Sequence, residues 1–254
     1  METPSRLQFV VFAGLLTLFL SVPLTDQDGL QLFHKMQSAL GGSEKIASVR
    51  DFEQTVRAET WDGDGKLREV VRKRVRFIRP SYLRIDQVGP DDTYVLYFDG
   101  TSGWEILPDG TVADLTGGEL KFAQTYLSGL NLIFWLSDRD PSKVITSTAP
   151  NVIVVSTKGD PSRTNEITLD PATFLPVKQA GTSYANPNHP VRQQVLLDRW
   201  EASGGVKFPQ RISNFQGGKK LAEITVEQTN FDYGIKLSDL AIKPPDFKPV
   251  MARP

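Results

Sequence analysis

The chain has 254 residues, no cysteine, and nearly equal numbers of basic (29) and acidic (30) residues, for a formal net charge of −1. The absence of cysteine excludes a disulfide framework, a thiolate metal site and a lipidated N-terminal cysteine. The balanced charge creates no field that would steer the molecule toward nucleic acid, so we expect no nucleic-acid partner.

Residues 1–25 show the charged, apolar and polar order that is typical of a secretory signal. The apolar stretch, residues 7–24, carries no charge and is 18 residues long. This length lies close to the ~20 residues that a membrane-spanning helix needs. The segment is therefore a cleaved signal peptide or a retained N-terminal anchor, and both readings place the bulk of the chain outside the cytoplasm.

The first predicted helix covers residues 29–46, where apolar side chains recur at spacings of three and four. Asp28 is its candidate N-cap, and Gly41 with Gly42 forms a candidate stop. A short helical turn is predicted at residues 43–49. Both helical segments precede every predicted strand.

From residue 51 onward, short β-type runs alternate with turn dipeptides, which is the pattern of consecutive antiparallel hairpins. Asp and Gly in these turns tolerate the positive φ of tight hairpins. Roughly twelve strands in sequence exceed what one flat sheet comfortably holds, so the sheet should curl into a barrel or half-barrel. We expect one mainly β domain over residues 26–247, followed by a flexible tail at residues 248–254.

Residues 119–136 interrupt the strands with a helical pattern that is rich in leucine, phenylalanine, alanine and tyrosine. Gly129 inside it costs ~1 kcal/mol relative to alanine, so a break into two shorter helices is expected there. The apolar stripe is broad, which indicates a helix packed on a sheet face. Together with the N-terminal helix, this mid-sheet insertion should cover the concave side of the curled sheet.

Residues that carry chemistry are sparse. The chain has two histidines, His34 and His189, and neither has a second histidine at ligand spacing. The Asp62-x-Asp64-Gly65 segment lacks the later ligands of a calcium loop, and a hairpin turn is the simpler interpretation. No nucleophile elbow, phosphate loop or carboxylate cluster is present. We therefore expect no enzyme, no metal site and no cofactor.

One run of positive charge stands out on the strand predicted at residues 67–78. Alternation sends Arg72, Arg74 and Arg76 to one face of the sheet and Val71, Val75 and Phe77 to the other. The arginines could contact an acidic partner or phospholipid headgroups. Alternatively, they form a solvated convex face, paired across strands with acidic residues at Glu53, Glu59 and Asp86.

Several segments occur in a familiar order along the chain. They are Ala39-Leu40-Gly41-Gly42-Ser43-Glu44-Lys45-Ile46, Arg79-Pro80-Ser81-Tyr82-Leu83-Arg84, Phe98-Asp99-Gly100-Thr101-Ser102-Gly103-Trp104, the helical insertion, Leu169-Asp170-Pro171-Ala172-Thr173-Phe174-Leu175-Pro176, Gly205-Val206-Lys207-Phe208-Pro209 and Phe231-Asp232-Tyr233. In this order they resemble the LolA/LolB-like superfamily of outer-membrane lipoprotein-sorting proteins, over nearly all of the mature chain.

The resemblance implies an incomplete β-barrel in the periplasm, with helices as a lid over an apolar cavity that holds lipoprotein acyl chains. Relatives include sensor domains that bind lipid or lipoprotein. The family carrier also latches its lid with an arginine, and no local motif selects one here. We expect a monomeric carrier or sensor whose cavity is lined by Leu120, Phe122, Tyr126, Leu130, Ile133, Phe134, Val71, Val75 and Phe77. The alternative is a cell-envelope module that binds a protein partner and no lipid.

Overall fold

The structure is a computed structural model that describes residues 26–88, 93–107, 109–183 and 191–242. The predicted signal segment and the predicted tail at 248–254 lie outside these residues. His189 also lies outside them.

The described residues form five α-helices, one 3₁₀ turn and thirteen strands. The helices are α1 Asp26–Ala39, α2 Ser43–Ser48, α3 Gly117–Gly129, α4 Asn131–Phe134 and α5 Leu237–Ala241, and the 3₁₀ turn is Ser137–Arg139. The strands are β1 Asp51–Trp61, β2 Leu67–Ile78, β3 Tyr82–Val88, β4 Thr93–Phe98, β5 Gly103–Ile106, β6 Val112–Asp114, β7 Lys143–Ala149, β8 Val152–Thr157, β9 Asp160–Leu169, β10 Pro176–Ser183, β11 Val191–Ser203, β12 Val206–Gln216 and β13 Lys219–Phe231.

All thirteen strands belong to one antiparallel sheet in the order β6-β5-β4-β3-β2-β1-β13-β12-β11-β10-β9-β8-β7. Strands that follow one another in sequence pair with each other, apart from β6 and β7. In addition, β1 pairs with β13 and so joins the two halves of the sheet. Strands β6 and β7 remain unpaired with each other, so the sheet is open. The predicted fold class, a curled antiparallel sheet of the incomplete-barrel type, is confirmed.

The N-terminal helix begins earlier than the sequence indicates. Asp28 lies within the first turn of α1 and is not the residue that precedes it. The predicted stop is correct: α1 ends at Ala39, and Gly41 has a φ of +120°, which side chains with a Cβ rarely adopt. Gly42 then precedes α2, which keeps Glu44 in its first turn.

The helical insertion links the two open edges of the sheet, because it leaves β6 and leads into β7. Helix α3 ends at Gly129 and α4 begins at Asn131, so the predicted break is confirmed. The backbone amide of Leu130 bonds the carbonyl of Leu127 at this corner.

The main core lies between the concave face and the helices α1, α2 and α4. An aromatic row crosses it in ring contacts of 5.0 to 6.4 Å, from β2 to β11: Phe77, Phe52, Phe231, Phe208, Trp135 and Trp200. Trp135, directly after α4, is fully buried. Aromatic side chains bury large areas, so this row contributes substantially to stability.

A second, smaller cluster lies on the other face of the sheet. Leu240 of α5 is fully buried there against Val95, Tyr97, Trp104 and Ile106. The C-terminal segment therefore crosses to the convex face.

Candidate functional site

A row of aliphatic residues crosses the concave face apart from the aromatic row. Strand register places Val71 of β2 opposite Ala58 of β1, Ala58 opposite Ile224 of β13, Ile224 opposite Ile212 of β12, and Ile212 opposite Leu197 of β11. We call these five residues the inner strip. Because neighbouring strands lie ~4.8 Å apart, the strip is about 19 Å long.

Three residues of the inner strip are buried and two are half-buried, and the strip is separate from the main core. Val71, Ala58 and Leu197 are 5 to 6% exposed, and none of the five residues packs in either hydrophobic cluster. Val71 is six residues from Phe77 along β2, which corresponds to about 20 Å. The helices that fill the aromatic end of the concave face therefore leave the strip as a distinct apolar surface.

Some predicted lining residues belong to the main core and one belongs to the inner strip. Val75 and Phe77 are part of the main core, whereas Val71 belongs to the inner strip. The half-buried residues that pack against the main core are Leu120, Tyr126, Leu130, Ile133 and Phe134. Phe122 is 54% exposed and contacts Tyr126 with ring centroids 6.0 Å apart. That these residues line a ligand cavity stays a prediction.

Two tyrosines on this side of the sheet have raised pKa values. Burial raises the pKa of Tyr126 on α3 to about 12. Burial also raises the pKa of Tyr94 on β4, and the Glu105 carboxylate, its hydrogen bond and the charge of Glu119 add to the effect. Glu119 lies in the first turn of α3, so this helix reaches the concave face at Tyr94.

Arg79 joins three segments that are distant in sequence. Its guanidinium donates to the backbone carbonyls of Val49 (2.8 Å), Ile46 (3.1 Å) and Leu132 (2.9 Å). Burial, followed by the charge of Arg139, lowers the pKa of Arg79. One side chain thus holds the end of α2, the strand entry after it and α4 together.

The role of Arg79 is not evident from the sequence. Its position directly after β2 and before Pro80 places it at a strand end. Its partners are backbone carbonyls, which no sequence pattern reveals.

The predicted outward arginines share one aspartate. Asp86 accepts from Arg76 at 2.5 Å and from Arg84 at 2.9 Å, and Arg74 lies 3.5 Å away. Burial alone would raise the pKa of Asp86, but Arg76 and Arg84 hold it below its ordinary value. Arg72 pairs instead with Glu227 at 3.3 Å.

Other kinds of site find little support. Within the ranges that the structure describes, no group of three or more His, Cys, Asp or Glu side chains could hold a metal ion. No helix within those same ranges has the length and apolar character needed to span a membrane. An open depression of about 540 Å³ lies on the outer side of α1, lined by Gln31, His34, Lys35, Ser38, Ala39, Thr173 and Phe174.

Comparison with known proteins identifies the architecture. Neither a family model nor a curated protein matches the sequence. Among solved structures, the chain is similar to a LolA superfamily protein from Nitrosomonas europaea, with 13% identity, a TM-score of 0.56 and coverage of 82% of this chain and 97% of that one. It is also similar to a DUF1329 family protein from Desulfovibrio piger, with 11% identity, a TM-score of 0.57 and coverage of 84% and 97%. The chain therefore has a LolA-like fold.

Proposed function

We propose that this protein is an exported, periplasmic carrier or sensor that binds acyl chains of lipids or lipoproteins, with a role in outer-membrane lipoprotein sorting. The observation that carries the proposal is the inner strip, an apolar surface on the concave face that packs in neither hydrophobic cluster. Each buried CH₂ contributes about 0.8 kcal/mol, so a chain along the strip gains several kcal/mol after ordering costs.

In this proposal helices α3 and α4 are a lid over the aromatic end of the concave face, beside the inner strip, and Arg79 is the arginine that holds it closed. The carbonyl of Leu132 on α4 accepts one of the three hydrogen bonds of Arg79. The other two fix the guanidinium to the frame at Ile46 and Val49. Breaking one bond therefore frees α4 without removing the anchor of the arginine.

The test is lipid extraction and native mass spectrometry of the protein purified from an envelope fraction. Ala58→Phe places a large side chain in the middle of the inner strip, and Ala202→Phe, at an exposed position of β11, is its matched control. We expect lipid or acylated protein to accompany the wild type and Ala202→Phe but to be lost from Ala58→Phe. Thermal melts of all three proteins show whether each is folded.

A wild-type protein that carries no lipid and takes up no fluorescent fatty acid would contradict the proposal. It would favour the second candidate, an envelope module that binds an acidic protein. The observation behind that candidate is the excess of positive charge on the convex face, where three arginines surround Asp86 and Arg74 is 50% exposed. Salt-sensitive pull-down of an envelope protein by lipid-free protein would support it.

A further inference from the structure

Lys73 is the one residue of the basic run on β2 that faces the concave side. Its Cα lies opposite Val56 of β1 and Gln87 of β3, and alternation places it on the same face as Val71 and Val75. Arg72 and Arg74, its neighbours in sequence, project from the opposite face. A single lysine therefore brings positive charge to this part of the concave face.

Within the described residues, the charge of Lys73 is only partly compensated. Burial lowers the pKa of the ammonium, and the charge of Glu69, four residues away on the same face, only partly opposes this. In the part of the chain that the structure describes, no ion pair involves Lys73, whereas Arg72, Arg74 and Arg76 each have a carboxylate partner. Taking a charge out of water without a partner is costly, which makes an unpaired lysine unusual in a merely structural role.

Lys73 also stands at one end of the inner strip. It is next to Val71, the β2 end of the strip, and its cross-strand neighbour Val56 is 6% exposed. From that end the strip continues across β1, β13 and β12 to Leu197 on β11. The arrangement is a cation followed by about 19 Å of apolar surface.

We propose that the inner strip takes an amphiphile with an anionic oxygen headgroup, whose head pairs with the Lys73 ammonium and whose acyl chain lies along the strip. This inference rests on the proposed function, and it adds the class of ligand and its direction. An ammonium offers three donors, and hydrogen bonds between ionised groups are about twice as strong as neutral ones. A fatty-acid carboxylate and a lipid phosphate share this chemistry.

The experiment compares three ligands of the same chain length on the full protein after delipidation. Oleate and oleoyl lysophosphatidic acid carry the two anionic heads, and oleyl alcohol carries a neutral one. Binding is measured by displacement of a neutral fluorescent lipid. The variants are Lys73→Met, which keeps the length of the side chain, and Arg72→Met, which removes the same charge from the opposite face of the same strand.

We expect the wild type and Arg72→Met to bind at least one anionic ligand about tenfold more tightly than oleyl alcohol. Lys73→Met should lose that preference while its affinity for oleyl alcohol changes less than twofold. The anionic ligand with the larger preference in the wild type identifies the headgroup as a carboxylate or a phosphate.

Two failures are distinguishable. If all three ligands bind the wild type with equal affinity, or if the preference survives in Lys73→Met, the headgroup inference is wrong and the apolar site stands. If none of the three binds, the proposed function fails and this inference fails with it. The preference of the wild type is measured without any variant, so a misfolded Lys73→Met protein would not leave the question open.

Discussion

Replacing Arg79 with leucine should free α4 from the base of the sheet. The link between this side chain and α4 is a single hydrogen bond to the Leu132 carbonyl, 2.9 Å long. A hydrogen bond to a charged group contributes about 1.5 to 3 kcal/mol, and the lower value is sufficient here. A loss of about 1.4 kcal/mol raises the open fraction of the lid about tenfold.

The global effect should be larger than the local one. Leucine also removes the two bonds to Val49 and Ile46, so we expect the free energy of unfolding to fall by about 2 to 4 kcal/mol. Hydrogen exchange by mass spectrometry separates the two effects. Peptides that span residues 130–136 should exchange about tenfold faster than in the wild type under conditions where the β12 and β13 amides remain protected.

Two variants serve as controls for this prediction. Arg50→Leu removes a side chain that is 83% exposed and close in sequence to Val49, and it should leave exchange at α4 unchanged. Arg79→Lys keeps the positive charge but lacks the planar fork that reaches several carbonyls, so it should behave like the leucine variant. Equal exchange at residues 130–136 in Arg79→Leu and the wild type would refute the assignment of Arg79 as the lid latch.

Two further predictions concern stability. Asp86→Asn should lower the free energy of unfolding at pH 7 by about 2 kcal/mol in urea titrations, because Arg76 loses a buried charged partner. The pKa of Asp86 is lowered on folding. The stability that this carboxylate contributes to the wild type is therefore complete above the unfolded pKa of ~3.9 and is lost as pH falls through the folded value. If the stability of Asp86→Asn falls equally with acid, this prediction is wrong. Gly29→Ala should be destabilising by about 1 to 3 kcal/mol, since an added Cβ would meet the backbone of Thr146, whereas Gly129→Ala, with open space around it, should be neutral or stabilising in the same thermal melts.

Local chemistry explains why so much of the fold could be predicted. Strand ends coincide with Asp, Gly and Pro turns, and the break at Gly129 follows from helix propensity. The pairing of β1 with β13 could not be predicted in this way, because its partners are about 170 residues apart and depend on the whole sheet being formed. The same limit applies to α5, whose burial on the convex face depends on Leu240 meeting a cluster from β4 and β5.

The site residues show a different limit. Alternation correctly separated Val71, Val75 and Phe77 from the arginines, but the basic run was interpreted as one patch, and the inward position of Lys73 was overlooked. The same period of two predicts it directly. Arg79, in contrast, needs the three-dimensional positions of three carbonyls, which neither spacing nor composition contains.

The concave face has two regions, the aromatic row and the inner strip. This division explains how the sheet can be stable and still bind a ligand. The aromatic row, from Phe77 to Trp200, is packed by the helices, so its burial stabilises the fold whether or not a ligand is present. The inner strip uses smaller side chains, with Ala58 at its second position. It lies about 20 Å from the aromatic row along β1 and β2 and about 10 Å from it along β11. Smaller side chains leave more room above the concave face of the sheet. A ligand can therefore exchange at the strip without dismantling the contacts on which folding depends.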